Sequence, residues 1–180
     1  MKAKRIAILE TRLGQQLVDL VRQRGGVPFH APALAELPDL DARQIESLVR
    51  SLADNPPKLV VFQTGVGTKA LFNATDGLGL TDTFLRILDQ AIVAARGPKP
   101  TGALRARKVR IDRSAADPFT TKEVLASVED IALAGARVII QRYGSANLEL
   151  DRALEARGAQ VAEIPTYRWS LPADTRPLEA

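Results

Sequence analysis

The sequence contains no cysteine and a single histidine, His30. The absence of cysteine excludes disulfide bonds, thiolate nucleophiles and thiolate metal sites. One histidine cannot form a multi-histidine metal centre, and we interpret His30 as a residue at a strand end or in a linker. No pair of acidic residues follows a predicted strand, so neither a hard-cation site nor hydrolysis by paired carboxylates is indicated. We expect no bound metal.

Long apolar runs are also absent. The N-terminal run Ile6–Leu9 is too short for the core of a signal peptide or for a membrane span, so we expect a cytoplasmic protein with no membrane partner. Aromatic residues form only 4% of the 180 residues, whereas hydrophobic residues together reach 46%. We therefore expect a core built from Leu, Val, Ile and Ala.

The net charge of +4 favours an anionic partner. Basic residues cluster only between 105 and 110, and no aromatic residue lies among them. A nucleic-acid interface is expected to carry a larger basic surface. We interpret this cluster as the solvated end of a helix and expect no nucleic-acid partner.

Apolar runs alternate with amphipathic helical patterns along the chain, which is typical of α/β proteins with helices on both faces of parallel sheets. A connection is expected at 32–40 and a small-residue turn at 97–102. Thr81 is a candidate N-cap, and Thr120 with Glu123 has the spacing of a capping box. The predicted strands are 5–10, 27–31, 59–63, 91–96, 109–111, 137–141 and 160–164, and the predicted helices are 13–24, 41–53, one beginning near 70, 81–89, 103–107, one beginning at 118–121, and 147–157.

Two similar segments suggest how the chain is divided into domains. The Arg-Gly pairs at 24–25 and 157–158 each end a predicted helix, and each is followed by an extended run that ends in a proline. One interpretation is an ordinary helix-to-strand turn in both places. The other is that two matching strands cross between domains, near 31 and near 165. The second interpretation gives a partial, discontinuous first domain at 1–33 and 166–180 and an inserted α/β domain at 34–165, and it leads us to expect a C-terminally truncated chain.

The stretch Leu59–Phe72 is the centre of the predicted inserted domain. It begins with an unbroken apolar, β-branched run, which predicts a strand buried on both faces. The small residues at 64–68 follow at once, and a helical pattern begins at Ala70. The start of a helix presents unpaired backbone N–H groups and the positive end of the helix dipole, so an anion site is predicted here.

Four predicted strands end in turns of this kind, at 11–12, 64–67, 97–101 and 143–147. Ligands of parallel α/β sheets bind at the carboxyl ends of the strands. Hydroxyl groups, backbone amides and occasional basic side chains suit a ligand with several carboxylates or phosphates. The alternative is that these residues are simply good turn formers.

The pattern Gly65-x-Gly67-x-x-Ala70 also mimics a dinucleotide-binding fingerprint. That fingerprint requires an acidic residue at the end of the next strand, where this chain has Ala95-Arg96. A strand that ends in an arginine would fit only a dinucleotide cofactor with a 2′-phosphate. An NADP-binding α/β protein therefore remains an alternative.

Five stretches span nearly the whole chain, namely 61–67 (VFQTGVG), 94–104 (AARGPKPTGAL), 118–125 (PFTTKEVL), 141–147 (QRYGSAN, followed by Leu150 and Leu154) and 158–169 (GAQVAEIPTYRW). Taken together and in order, they resemble the uroporphyrinogen-III synthase family. The resemblance implies two parallel-sheet α/β domains joined by a two-stranded linker, the first of them incomplete here.

The same resemblance implies a cofactor-free enzyme, a lyase that cyclises the linear tetrapyrrole hydroxymethylbilane to uroporphyrinogen III, with inversion of the terminal ring and loss of water. By resemblance, Tyr167 is the catalytic acid. A non-catalytic ligand-sensing domain on the same scaffold is an alternative. We expect a monomer whose partner is a small polycarboxylate, held by Arg12, Thr64, Gly65, Val66, Gly97, Lys99, Thr101, Gly144, Ser145 and Asn147.

Overall fold

The computed structural model describes residues 3–179, which form two units. The N-terminal unit comprises residues 3–37 and 168–179, and the second unit comprises Pro38–Tyr167. The bounds predicted from the sequence, 33/34 and 165/166, lie a few residues earlier on both sides. Within residues 3–179, no helix combines the length and the apolar composition needed to cross a membrane.

Strands and helices are interspersed along the described residues. The strands are β1 (Arg5–Ile8), β2 (Val27–His30), β3 (Ala35–Pro38), β4 (Leu59–Phe62), β5 (Ile92–Ala95), β6 (Arg113–Ser114), β7 (Arg137–Arg142), β8 (Gln160–Pro165) and β9 (Tyr167–Ser170). The helices are α1 (Gly14–Gln23), α2 (Ala42–Asp54), α3 (Gly65–Gly77), α4 (Thr81–Gln90), α5 (Pro98–Ala106), α6 (Thr121–Ser127), α7 (Leu148–Glu155) and α8 (Arg176–Glu179).

The second unit is built on a five-stranded parallel sheet in the order β6-β5-β4-β7-β8. All four residues of the central strand β4 are buried, as the apolar run predicted. Val60 and Phe62 pack on the face covered by α2, α3, α4 and α5, whereas Leu59 and Val61 pack on the face covered by α6 and α7. The predicted α/β class, with helices on both faces of a parallel sheet, is confirmed.

The N-terminal unit contains the parallel pair β1 and β2, with Ile8 opposite His30, and helix α1 between them in the chain. The Nε2 atom of His30 lies 2.9 Å from the carbonyl oxygen of Glu10, and its ring fills the space beside Gly14. The structure therefore gives His30 a packing role at the end of a strand.

The chain passes between the two units inside β3 and β9, which pair with each other in a two-stranded sheet. The prediction that the strands at 27–31 and 160–164 make the crossing is therefore wrong, because β2 pairs with β1 and β8 pairs with β7. The prediction of a connection at 32–40 is also wrong, because β3 forms there. Local proline signals hid this strand, whose pairing partner lies far away in sequence.

Two predicted elements around α5 are corrected. The predicted turn at 97–102 is the first part of α5, in which Pro98 occupies the first helical turn, where a residue without an N–H group is tolerated. The predicted strand at 109–111 is wrong, since the strand beside β5 is the short β6. Val109 is buried against the core of the α5 face instead.

Two helix starts are also revised. Leu80, and not Thr81, is the N-cap residue of α4, and the Thr81 hydroxyl donates to Asp76 at 2.6 Å, which links the end of α3 to α4. Helix α3 begins at Gly65 rather than near Ala70, so the predicted small-residue turn is its first helical turn. The capping box of α6 is confirmed, with the backbone N–H of Thr120 donating to Glu123 at 3.0 Å.

Candidate functional site

The carboxyl ends of β5, β4 and β7 are neighbours in the sheet. The segments that follow them, 96–101, 63–68 and 143–147, therefore lie side by side, and we call them the carboxyl edge. Every predicted substrate-binding residue except Arg12 belongs to this edge. The sequence predicted each segment separately as a ligand-binding turn. That the three segments are neighbours follows only from the strand order in the structure.

The segment after β4 presents the start of helix α3. Thr64 is the N-cap, and its Oγ1 atom accepts from the backbone N–H of Gly67 at 3.1 Å. The N–H groups of Gly65 and Val66 begin the helix, so no preceding turn supplies carbonyl partners for them. Val66 is 37% exposed. This helix start, with the positive end of the helix dipole behind it, is therefore a candidate anion site.

Gly65 brings the segment after β4 against the segment after β5. A Cβ atom at Gly65 would lie 2.6 Å from the carbonyl oxygen of Lys99, so only glycine allows this approach. The Lys99 side chain is exposed in the first turn of α5, and the N–H of Thr101 donates to Gly97 at 3.2 Å. A Cβ at Gly97 would meet the ring of Phe119 at 3.1 Å. These contacts fix two helix starts next to each other.

Gln141, at the end of β7, holds the carboxyl edge together and was not identified from the sequence. Its side chain is fully buried, and its Oε1 atom accepts from the backbone N–H groups of Gln63 at 3.2 Å and Thr64 at 3.1 Å. Its Nε2 atom donates to the carbonyl oxygen of Arg142 at 2.8 Å and to Thr166 at 3.0 Å. A polar residue that ends an apolar strand was the only available signal.

Gln141 also explains the second glycine of the dinucleotide-like pattern. A Cβ at Gly67 would lie 2.1 Å from the Nε2 atom of Gln141 and 2.6 Å from the Oγ1 atom of Thr166. The space beside Gly67 is thus filled by protein side chains. This packing alone requires a glycine at position 67, so no bound nucleotide is needed to explain it.

Several polar groups of the segment after β7 already form hydrogen bonds within the protein. Asn147 caps α7 by accepting from the N–H of Leu150 at 3.2 Å, and its Nδ2 atom donates to Thr121 at 2.9 Å. The N–H of Gly144 donates to the carbonyl oxygen of Tyr167 at 3.0 Å, so this amide is already paired. Ser145 is exposed and keeps its hydroxyl group at the surface.

Tyr167 is buried, with 6% of its surface exposed, and lies at the start of β9. Its ring centroid is 6.4 Å from that of Tyr143. The hydroxyl of Tyr143 accepts from the Nη1 atom of Arg96 at 2.6 Å. The predicted catalytic tyrosine therefore neighbours Tyr143, which in turn contacts Arg96, and neither of these two residues was predicted as a site residue.

Arg12 lies in the N-terminal unit, outside the carboxyl edge. It forms an ion pair with Glu36, and its guanidinium lies 5.3 Å from the ring centroid of Trp169. The predicted role of Arg12 as a charged partner of the ligand stays a prediction. The structure shows it paired with an acidic residue of its own unit.

Charged residues cluster around Arg142, the last residue of β7. The Nε atom of Arg142 lies 3.1 Å from Glu163, and its Nη2 atom lies 3.5 Å from Asp39. Burial, and then the negative charge of Asp151, raise the pKa of Glu163. Burial, followed by the negative charge of Glu155, raises the pKa of Asp151. The cluster thus contains more partly buried negative charge than Arg142 compensates.

We expect Asp151→Asn to stabilise the protein by about 0.5–1 kcal/mol at neutral pH, the range for partly exposed charges. A carboxyl group with a raised folded-state pKa costs stability as the pH rises from its unfolded value, about 3.9 for Asp, through its folded value. The gain should therefore disappear as the pH falls toward about 4, as measured by urea unfolding. Glu149→Gln, at an exposed position on the same helix, is the control. A gain from Asp151→Asn that is equal at both pH values would contradict the assignment.

Comparison with known proteins gives consistent matches. A family model described as uroporphyrinogen-III synthase HemD matches residues 15–179. Uncharacterized protein YjjA of Bacillus subtilis is 32% identical over 166 residues, which is 92% of this chain and 60% of that protein. A protein of Methanothermobacter thermautotrophicus, assigned provisionally by its name to uroporphyrinogen-III synthase, is 30% identical over 91% of this chain and 61% of its own length. The chain thus spans about 60% of the length of these relatives.

Solved structures agree with these matches. A crystal structure of a mutant uroporphyrinogen III synthase from Thermus thermophilus superposes with a TM-score of 0.78 at 28% sequence identity, covering 98% of this chain and 66% of that one. The wild-type protein in another crystal form gives a TM-score of 0.68 at the same identity, with 98% and 65% covered. The similarity includes the parallel sheet and the helices that frame the carboxyl edge.

Proposed function

The chain belongs to the uroporphyrinogen-III synthase family, and we propose that the protein catalyses the synthesis of uroporphyrinogen III. In that reaction, hydroxymethylbilane loses its terminal hydroxyl group as water, its last pyrrole ring is inverted, and the macrocycle closes to uroporphyrinogen III. The observation that carries the proposal is the carboxyl edge, where the strand order places two helix starts and a hydroxyl-bearing turn side by side.

The chemistry of this edge suits the proposed substrate. Each ring of the tetrapyrrole carries acetate and propionate side chains, so the ligand presents carboxylates at several points. The N–H groups of Gly65 and Val66, the hydroxyl group of Thr64 and the exposed ammonium group of Lys99 can each donate to a carboxylate. Thr64 retains its hydroxyl proton for this purpose, because its oxygen serves as the acceptor in the helix cap.

In our proposal, the main task of the protein is to control the conformation of the substrate. The bilane can close unaided to the isomer without ring inversion, so the protein has to hold the terminal ring in the geometry that leads to inversion. Orientation by several fixed donors can lower a barrier by several kcal/mol, on the order of 7–11 in well-aligned intramolecular reactions. The tight packing around Gly65 and Gly67 supports this role, because it fixes the donors before the ligand binds.

One acidic group is also needed, because hydroxide is a poor leaving group. We assign this role to Tyr167, since a phenolic hydroxyl group can donate its proton to the departing hydroxyl oxygen. Its burial supports the assignment, because an acid shielded from water delivers its proton to the substrate rather than exchanging it with solvent.

A titration with uroporphyrin III, the stable oxidised form of the proposed product, tests where the ligand binds. We expect the backbone amide signals of Gly65, Val66 and Ser145 to shift in the NMR spectrum of isotopically labelled protein. Lys58 and Gly135 line a cavity of about 440 Å³ at the opposite end of the same sheet, and their signals should stay unchanged. Shifts confined to that cavity, or no binding at all, would contradict the proposal.

A further inference from the structure

Gln63 carries a side-chain amide that the protein itself does not satisfy. The residue is 2% exposed, and neither its Oε1 nor its Nε2 atom has a hydrogen-bond partner among residues 3–179. Buried polar groups without partners destabilise a protein and are rare in native structures. An apolar residue of similar size would avoid this cost, so the glutamine needs another explanation.

The sheet register places Gln63 in a row with two arginines. Phe62 is opposite Ala95 on β5 and Gln141 on β7, so the next residue of each chain segment puts Gln63 between Arg96 and Arg142. The N–H of Arg96 donates to the carbonyl oxygen of Phe62 at 2.9 Å, which shows that the pairing with the β5 segment continues to this point.

The three side chains of this row also share one face of the sheet. Side chains alternate along a strand, so each residue of the row faces the same side as the residue two positions before it. Those residues are Val61, Ala94 and Ile140, and all three pack in the core covered by α6 and α7. Gln63 therefore has a cationic neighbour on each side.

Only Arg96 in this row has a charge that no acidic side chain compensates. Arg142 lies within 3.5 Å of Asp39 and within 3.1 Å of Glu163. No carboxylate among residues 3–179 forms an ion pair with Arg96. Its Nη1 atom donates to the hydroxyl of Tyr143 at 2.6 Å, and its guanidinium lies 4.7 Å from the centroid of the same ring. Tyr143 therefore orients a guanidinium whose remaining donors are available to an anion.

We infer that Arg96 and Gln63 form a subsite for one carboxylate side chain of the tetrapyrrole. The guanidinium of Arg96 and the Nε2 group of Gln63 both donate to the carboxylate, and Tyr143 orients Arg96. The inference rests on the proposed function, since it names residues that recognise that substrate. With Gln63 almost fully covered, a ligand reaches its amide only when a neighbouring side chain moves.

Substitution of Gln63 by leucine separates this role from a structural one. If the amide is unsatisfied in the free protein, Gln63→Leu should raise the melting temperature of the free protein. The same variant should bind uroporphyrin III about tenfold or more weakly, because one hydrogen bond to a charged group is lost. A residue that only supports the fold would not change these two quantities in opposite directions.

Arg96→Met provides an independent variant and should also weaken uroporphyrin III binding about tenfold or more, measured by porphyrin fluorescence. Arg105→Met removes an exposed charge from α5 and controls for net charge, so its affinity should match that of the unaltered protein. Unchanged affinity of either Gln63→Leu or Arg96→Met would overturn the subsite and leave the proposed function intact. An equal loss in Arg105→Met would also overturn it. If the unaltered protein does not bind uroporphyrin III, the proposed function fails, and the subsite fails with it.

Discussion

Replacing Gly67 with alanine should lower the free energy of unfolding by about 2–5 kcal/mol. The new Cβ atom would lie 2.1 Å from the Nε2 atom of Gln141 and 2.6 Å from the Oγ1 atom of Thr166. Both side chains are buried, so neither can turn away into solvent. Displacing Gln141 would leave the backbone N–H groups of Gln63 and Thr64 without their acceptor. The expected loss combines overpacking with these unpaired groups.

Gly77→Ala is the matched control for this prediction. Gly77 lies in the same helix, α3, and a Cβ atom there would meet nothing within 4 Å. Alanine is a better helix former than glycine, so this variant should gain up to about 0.5–1 kcal/mol. Urea unfolding measures both variants. If Gly67→Ala is as stable as Gly77→Ala, the packing of Gln141 against α3 does not hold the carboxyl edge together.

Tyr167→Phe should lower kcat by about 10²–10⁴-fold, the usual contribution of a positioned general acid. Its effect on stability should be far smaller, about 1 kcal/mol, because the ring stays in place and only a hydroxyl group is lost. Turnover and urea unfolding of the same preparation give the two values. A loss of turnover no larger than the loss of folded protein would show that Tyr167 is a structural residue.

Tyr143→Phe is the corresponding control, since it also removes one phenolic hydroxyl group from the same pair of rings. Tyr143 orients Arg96 in our account and does not donate to the leaving group. We therefore expect Tyr143→Phe to raise KM and to change kcat much less than Tyr167→Phe. A kcat as low as that of Tyr167→Phe would contradict the separate roles of the two tyrosines.

The sequence predicted the parallel sheet because its central strands are local features. The apolar run of β4 is long enough to indicate a strand that is buried on both faces, and the run Val138–Ile140 indicates the strand β7. The start of α6 was equally local, since Thr120 and Glu123 are three residues apart. These elements depend on neighbouring residues, so they could be read without knowledge of the fold.

The parts that were missed depend on distant partners. Strand β3 is stabilised by pairing with β9, about 130 residues later in the chain, which no local pattern reveals. The prolines of α5 indicated a turn, although Pro98 fits the first turn of a helix. Likewise, Gln141 and Arg96 acquire their roles only because the register places them beside β4. The positions of individual site residues therefore required the structure.

The most direct measurement of the central claim follows the product of the reaction. Hydroxymethylbilane is generated by its own synthase in the presence of the protein, expressed from its complete reading frame, and the uroporphyrin isomers are separated by chromatography after oxidation. We expect isomer III to predominate, with a yield that rises with protein concentration. Isomer I alone, at the level formed without the protein, would contradict the proposed function.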